Sequence, residues 1–167
     1  MNSSYTLFES SIASLPLISR GKVRDIYGAD DEHLLIVTTD RLSAYDVILP
    51  NPVPCKGQVL TQISNFWFKM MEDLIPSHLT DRNLNSLIDD GKLCRTLEHR
   101  AIIVRRLDPL PIEAVVRGYL MGSGWRDYRS TGQICGIDLP PNLEQATQLP
   151  EVLFTPAYKA EAGNHDE

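Results

Sequence analysis

Apolar and polar positions along the chain lay out most of its elements. Residues 21–39 read as a hairpin: a strand around Lys22 to Tyr27, a polar break over Gly28 to Glu32, then the run Leu34-Leu35-Ile36-Val37-Thr38. Leu60, Ile63, Phe66, Trp67, Met70, Met71 and Leu74 recur at three- and four-residue spacing until Ile75-Pro76 breaks the pattern. That spacing predicts a helix whose apolar stripe packs into a core. From Ser77 to Glu98 the signal weakens, with Leu79, Leu84, Leu87 and Ile88 scattered among polar residues, before Ala101-Ile102-Ile103-Val104 marks a buried strand.

Asp108-Pro109-Leu110-Pro111 then denies the backbone its donors and holds it extended, as a semi-rigid connector would. A lobe boundary is expected there, separating residues 1–107 from 108–167. A second strand, Glu113 to Arg117, follows, with a Gly122-Ser123-Gly124 turn and a short helix over Trp125 to Ser130. Pro140-Pro141 and Pro150 leave the rest reading as loop, and no internal repeat is visible.

Composition narrows the chemistry more than the fold. With 43% hydrophobic and 23% charged residues over 167 positions, the chain has the makings of a globular core. A net charge of -6 disfavours non-specific nucleic-acid or anionic-membrane binding, while local clusters of Arg and Lys still allow small anionic ligands. Cys55, Cys94 and Cys135 are too dispersed for a zinc knuckle or a disulfide framework. No stretch reaches the about 20 apolar residues of a membrane helix, and no basic residue precedes Arg20 as in a signal peptide, so a cytoplasmic setting is the expectation.

Three clusters could carry chemistry. Arg20-Gly21-Lys22-Val23-Arg24-Asp25 sets three cations and a glycine at a strand start, where charge-assisted hydrogen bonds could hold phosphates. It is not a Walker loop, since Pro16 and Val23 stand where a glycine and a Ser or Thr are required, and a solvated surface hairpin is the plainer alternative. Thr38 to Asp46 follows a strand end and reads equally as a turn or as a presented site. In Val115-Val116-Arg117-Gly118-Tyr119-Leu120-Met121-Gly122-Ser123-Gly124-Trp125, an Arg precedes a glycine-flanked Ser near a helix start, a combination suited to an anion. Asp127 stands in place of the third glycine of a dinucleotide fingerprint, which excludes a Rossmann reading. The terminal residues Phe154 to Glu167 crowd a Lys, a His, an Asp and two Glu into their last nine positions, either a solvated tail or part of a site.

Taken with their order and spacing, Arg20-Gly21-Lys22-Val23-Arg24-Asp25-Ile26-Tyr27, Thr39 to Val47, Val116-Arg117-Gly118-Tyr119, Gly122-Ser123 with Trp125, and the block from Phe154 to Glu167 make the sequence resemble the SAICAR synthetase (phosphoribosylaminoimidazole-succinocarboxamide synthase) family of purine biosynthesis. The resemblance implies an α+β fold, with a mainly antiparallel N-terminal sheet flanked by the Leu60 to Leu74 helix and the beginning of a second α+β lobe after Asp108, and an ATP-dependent ligase that activates the carboxylate of a carboxyaminoimidazole ribonucleotide and joins it to L-aspartate. It implies ATP contacts at Gly21, Lys22, Val23 and Arg24, with Asp108 at the end of the strand beside the adenine. It assigns Arg117 and Ser123 to the ribonucleotide phosphate, Ser43 and Asp46 to the substrate or aspartate side, and Lys159, Glu161 and Asp166 to the catalytic face. Tyr158 and Asn164 depart from the family pattern, which has a threonine and an acidic residue there.

Members of this family continue into segments carrying the acidic Mg²⁺ ligands, so the resemblance places no metal ligand in this chain. It also implies negligible ligase activity for the 167 residues alone, unless a complementary C-terminal segment is supplied. An apolar face around Ile112, Val115 and Leu120 is expected to be left for that segment to cover. A non-catalytic nucleotide-binding or interaction module, from a truncated or split enzyme, is the competing reading.

Overall fold

Arg24–Gly28 (β2) and His33–Thr38 (β3) pair antiparallel with Arg24 opposite Thr38 and Gly28 opposite Leu34. The period-two pleat therefore puts Asp25, Tyr27, Leu35 and Val37 on one face. The computed structural model in which this is seen describes residues 6–158, and the chain falls into two compact units, Met1–Leu107 and Asp108–Glu167. Leu17–Arg20 (β1) adds a strand before β2, a short edge that the sequence pattern did not announce. Ala101–Arg105 (β6) closes the sheet, whose order is β1-β2-β3-β6, antiparallel throughout. A two-residue-per-strand hairpin, Ser43–Ala44 (β4) with Val47–Ile48 (β5), lies between β3 and the first helix.

One sheet face builds the core of this unit. Tyr27, Leu35, Val37 and Ile103 pack with Ile12, Ile88, Cys94 and Leu97, the last two from Gly91–Leu97 (α2). The carboxylate of Asp90 caps α2 by accepting from the N–H groups of Lys92 and Leu93. A 3-10 turn over Leu84–Ser86 leads into it, so the weakly patterned stretch is ordered by this packing.

The helix predicted over Leu60 to Leu74 runs from Lys56 to Met70 (α1), and its stripe does not face a core. Its inward residues are Gly57 and Thr61, while Val59, Leu60, Ile63, Phe66, Trp67 and Met70 are 47–60% exposed. The cause is the closeness of the seat: a Cβ on Gly57 would lie 2.3 Å from the carbonyl oxygen of Thr38. Only a small residue fits there, and the bulky residues are turned to the other faces. Cys55, at the N-cap, supplies no side-chain cap, and Asp40 does so from a distance, accepting from the Gly57 N–H at 2.8 Å. Among the described residues no helix is long and apolar enough to cross a membrane.

In the second unit Ile112–Tyr119 (β7) pairs antiparallel with Gln148–Tyr158 (β10). The stretch read as loop thus ends in an 11-residue strand; its two prolines, Pro150 and Pro156, are tolerated because a two-stranded ladder leaves an outer edge on each strand. Between them lie Gly122–Thr131 (α3) and the small hairpin Gln133–Ile134 (β8) with Ile137–Asp138 (β9). Leu120, Ile134 and Leu149 form the core with Trp125, Tyr128, Leu139, Leu143 and Leu153 against them. Leu120 is fully buried, so it does not belong to the open apolar face expected around Ile112, Val115 and Leu120. That face consists instead of Ile112, Ala114 and Val116 opposite Tyr158, Pro156 and Phe154, and four of these are 51–65% exposed. The architecture is α+β, with antiparallel sheets and few helices.

Candidate functional site

Gly21, Lys22 and Val23 form the turn joining β1 to β2, and each of their carbonyls is held from inside the unit. Arg41 reaches Gly21 O through Nη2 at 2.9 Å and Lys22 O through Nε at 3.1 Å. Thr39 reaches Val23 O through its N–H at 3.0 Å and its hydroxyl at 2.9 Å. The Arg41 guanidinium also donates to Phe8 O at 2.7 Å and to Asp25 Oδ1 at 2.7 Å, and the residue is 1% exposed. Burial alone would raise the Asp25 pKa, but hydrogen bonds from Arg41 and from the N–H and hydroxyl of Ser10 outweigh it and hold the carboxyl below its usual range.

Lys22 points its ammonium at Asp46, and the two exposed side chains form an ion pair. Asp46 and Tyr45 occupy the two central positions of the β4–β5 hairpin with φ of 64° and 50°. Positive φ at both is the geometry of a twisted two-residue turn, unusual for a Tyr, whose ring is fully exposed. Ser43 lies on β4, half-buried. Val23 and Arg24 line a cavity of about 190 Å³ between the second face of the sheet, at Ile36, Thr38 and Ile102, and α1, at Leu60, Thr61 and Phe68. The hydroxyl of Thr61 is buried there with no hydrogen-bond partner among the described residues, and His78 stands on the cavity wall. Partial burial, then the positive charges of Arg105 and Arg24, lower the His78 pKa below the ordinary histidine value.

The second unit presents a different arrangement. Arg117 on β7 directs Nε to Thr155 Oγ1 at 3.0 Å and Nη2 to Ser123 Oγ at 2.8 Å, with Nη1 3.4 Å from Met121 O. Thr155, buried on β10, in turn donates to Val115 O at 3.0 Å and so fixes which way its oxygen faces. The guanidinium lies at the start of α3, and among the described residues the N–H groups of Gly122, Ser123 and Gly124 have no partner. Gly124 is tightly seated: a Cβ there would come within 3.3 Å of Arg117 Cδ and Nε and 3.1 Å of Ile134 Cδ1, so those side chains would have to shift. Among the described residues Arg117 is paired with no carboxylate, so a half-buried positive charge, open guanidinium hydrogens and a helix N-terminus are gathered in one place. Such a place accepts a phosphate or carboxylate.

Of the residues expected at a site, Gly21, Lys22, Val23, Arg24, Ser43 and Asp46 lie in the first unit, where Lys22 and Asp46 are in contact. Asp108, exposed, begins the second unit, which also holds the bonded pair Arg117 and Ser123. Lys159, Glu161 and Asp166 lie outside the described residues. Arg41, Thr39 and Thr155 lie in stretches that read from sequence as candidate sites but were given no role of their own, because the partners that define them are 16 to 40 positions away, beyond any local spacing signal. Among the described residues no group of three or more His, Cys, Asp or Glu could hold a metal ion.

Residues 17–167 match the SAICAR synthetase family. The chain belongs to that family. It is 58% identical over its full length to the phosphoribosylaminoimidazole-succinocarboxamide synthase of Methylococcus capsulatus, of which it covers 56%. It is 59% identical over 96% of its length to the synthase of that name from Azoarcus sp. strain BH72, covering 51% of it. SAICAR synthase from Saccharomyces cerevisiae, solved in complex with SAICAR, superposes with a TM-score of 0.85 at 39% identity, over 93% of this chain and 55% of the other. A SAICAR synthetase solved in complex with ADP shares the fold, with a TM-score of 0.62 at 24% identity over 85% of this chain and 50% of the other. The chain spans about half the length of the curated relatives it matches.

Proposed function

We propose that this chain contributes the ATP phosphate loop and the ribonucleotide phosphate cradle of an ATP-dependent ligase that makes SAICAR from carboxyaminoimidazole ribonucleotide and L-aspartate. The observation that carries the reading is the Arg117 cradle in a chain of this family: among the described residues its guanidinium is oriented by neutral acceptors only, beside N–H groups of α3 that have no partner there, so its charge remains for a phosphate. The yeast relative's complex with SAICAR, itself a ribonucleotide, supports that ligand class.

The chemistry follows from the reactants. A carboxylate is a poor electrophile, so one of its oxygens attacks the γ-phosphorus of ATP, the bond to the β–γ bridging oxygen breaks, and ADP leaves. The amine of L-aspartate then attacks the acyl carbon, phosphate departs with its oxygen, and the nitrogen loses a proton to give the amide. In this scheme Gly21, Lys22, Val23 and Arg24 meet the ATP phosphates, where cations offset charge gathering in transfer, and Asp108 lies beside the adenine. Ser43 and Asp46 serve the substrate or aspartate side, and Asp46 releases Lys22 as the phosphates arrive. Lys159, Glu161 and Asp166 act at the catalytic face.

Calorimetry of the purified chain with ATP and, separately, with SAICAR tests the reading, alongside phosphate release in the full substrate mixture with Mg²⁺. Binding of both ligands, with the SAICAR affinity about tenfold weaker in Arg117→Met, is the expected result. Binding of ATP alone without turnover would support a non-catalytic nucleotide-binding module instead, and binding of neither would overturn both.

A further inference from the structure

The turn at Gly21 to Val23 has a polarity imposed on it from within. In a trans peptide the C=O of one residue and the N–H of the next point in opposite directions, and the described chain has no cis bond. Arg41 draws the carbonyls of Gly21 and Lys22 inward with Nη2 and Nε, and Thr39 draws in that of Val23 with two hydrogen bonds. The N–H groups of Lys22 and Val23 are therefore turned away from the interior, and neither has a partner among the described residues. A carbonyl turned outward at this turn would repel a phosphate, whereas an outward N–H attracts one.

We propose that Arg41 is a positioning residue: its buried guanidinium presents the backbone amides of Lys22 and Val23 as an anion-binding pair beside the side chains of Lys22 and Arg24, while touching no ligand itself. Asp25 neutralises and orients the guanidinium, so the group contributes geometry to the turn and not charge. Lysine cannot replace it, because one ammonium cannot reach two successive carbonyls, Phe8 O and Asp25 in the fixed fork that arginine supplies.

This inference rests on the phosphate reading of the same turn, and the test separates the two. Inorganic tripolyphosphate is titrated into the ¹⁵N-labelled 167-residue chain, following the amide signals of Gly21 to Arg24, for the wild type, Arg41→Lys and Arg100→Lys. Arg100 is the comparison because its guanidinium is equally buried and paired, with Asp40, but reaches no carbonyl of the turn. The wild type should bind with the Lys22 and Val23 amides shifting most. Arg41→Lys should bind about tenfold or more weakly, the loss expected for one or more charge-assisted hydrogen bonds, with those two amides displaced even without ligand. Arg100→Lys should lose thermal stability and keep its affinity within about twofold.

If Arg41→Lys does not fold, Thr39→Val, which removes the hydroxyl bond to Val23 O and keeps the N–H bond, decides the matter through an expected loss of about threefold. A wild type that fails to bind tripolyphosphate overturns the phosphate reading and this inference with it. A wild type that binds, with the folded arginine variant binding equally well and its two amides unmoved, overturns the inference alone.

Discussion

Arg41 in the first unit and Arg117 in the second are both bound through Nε, Nη1 and Nη2, yet they are put to opposite uses. Arg41 is buried, and its partners are three carbonyls and the Asp25 carboxylate. Its charge is neutralised where it sits, and what it exports is the shape of a turn. Arg117 is half-buried, and its partners among the described residues are two hydroxyls and one carbonyl. Those neutral acceptors orient the fork and leave its charge for something else. The number of bonds to an arginine does not separate a prop from a ligand-binding group; whether a carboxylate is among the partners does.

The largest effect should come from breaking the neutralised member. Arg41→Met leaves the fully buried Asp25 with only the longer contact from Arg20 Nε, at 3.2 Å, as a counter-charge, and unfolding in urea should show a loss of about 3 kcal/mol from the first unit. A loss below about 1 kcal/mol would show that the pair is not buried in solution as it is here. The same pair sets an acid limit. Because the Asp25 pKa is lowered in the fold, its stabilisation is complete above the ordinary aspartate value of about 3.9 and is lost as pH falls below that value and through the folded one. In Asp25→Asn that acid-dependent component should disappear from a stability-against-pH curve.

Next in size is the contrast between two glycines at helix starts. Gly57→Ala brings a Cβ to 2.3 Å from a backbone oxygen, which has no rotamer to escape through. The overpacking, about 1–3 kcal/mol or more, outweighs the about 1 kcal/mol that alanine gains in a helix, so a net loss of about 2 kcal/mol is expected in thermal unfolding. Gly124→Ala meets the side chains of Arg117 and Ile134, which can move, and should cost less stability while displacing the guanidinium. Calorimetry should then find SAICAR binding weakened in Gly124→Ala and ATP binding unchanged. Equal unfolding losses in the two variants would erase the distinction between a backbone wall and a movable one.

Arg117→Met removes the arginine whose partners are neutral. It leaves no buried carboxylate behind, so stability should change by about 0.5 kcal/mol or less, while affinity for the ribonucleotide falls about tenfold, or about 1.4 kcal/mol. A large stability loss with unchanged affinity would make Arg117 a second prop.

These contrasts explain what could be read from the sequence. Strands β3 and β6 were legible because Leu35, Val37 and Ile103 recur in apolar runs that bury one sheet face. β10 was not, because Pro150 and Pro156 signal loop unless one knows that the ladder stops at two strands. The existence of α1 was legible from its spacing, but its orientation was not. Periodicity tells which residues share a face, and here the face seated on the sheet is the one with Gly57 and Thr61. The bonded pair Arg117 and Ser123 stood out because six positions separate a strand end from a glycine-flanked helix start. Arg41 and Thr155 fell inside stretches that read as candidate sites, but nothing local set them apart there, since what defines them is a partner distant in sequence.

The smallest expected effect joins the comparison to the phosphate turn through His78. Partial burial lowers its pKa first, and Arg105 and Arg24 lower it further. The sign follows directly: the unfolded chain takes up the proton near the ordinary value of about 6.5, the folded chain only below it, so stability declines slightly as pH falls through that interval. Arg24→Gln removes one of the opposing charges and should move the His78 ring titration in NMR back toward 6.5. A phosphate bound at Arg24 should do the same without any substitution, because it offsets the cation that His78 senses across the cavity. Arg41→Lys, which leaves Arg24 in place, should suppress that ligand-induced shift by weakening the binding and should leave the ligand-free titration where it was. A His78 titration that ignores both Arg24→Gln and added tripolyphosphate would mean that Arg24 and the anion act somewhere other than this cavity.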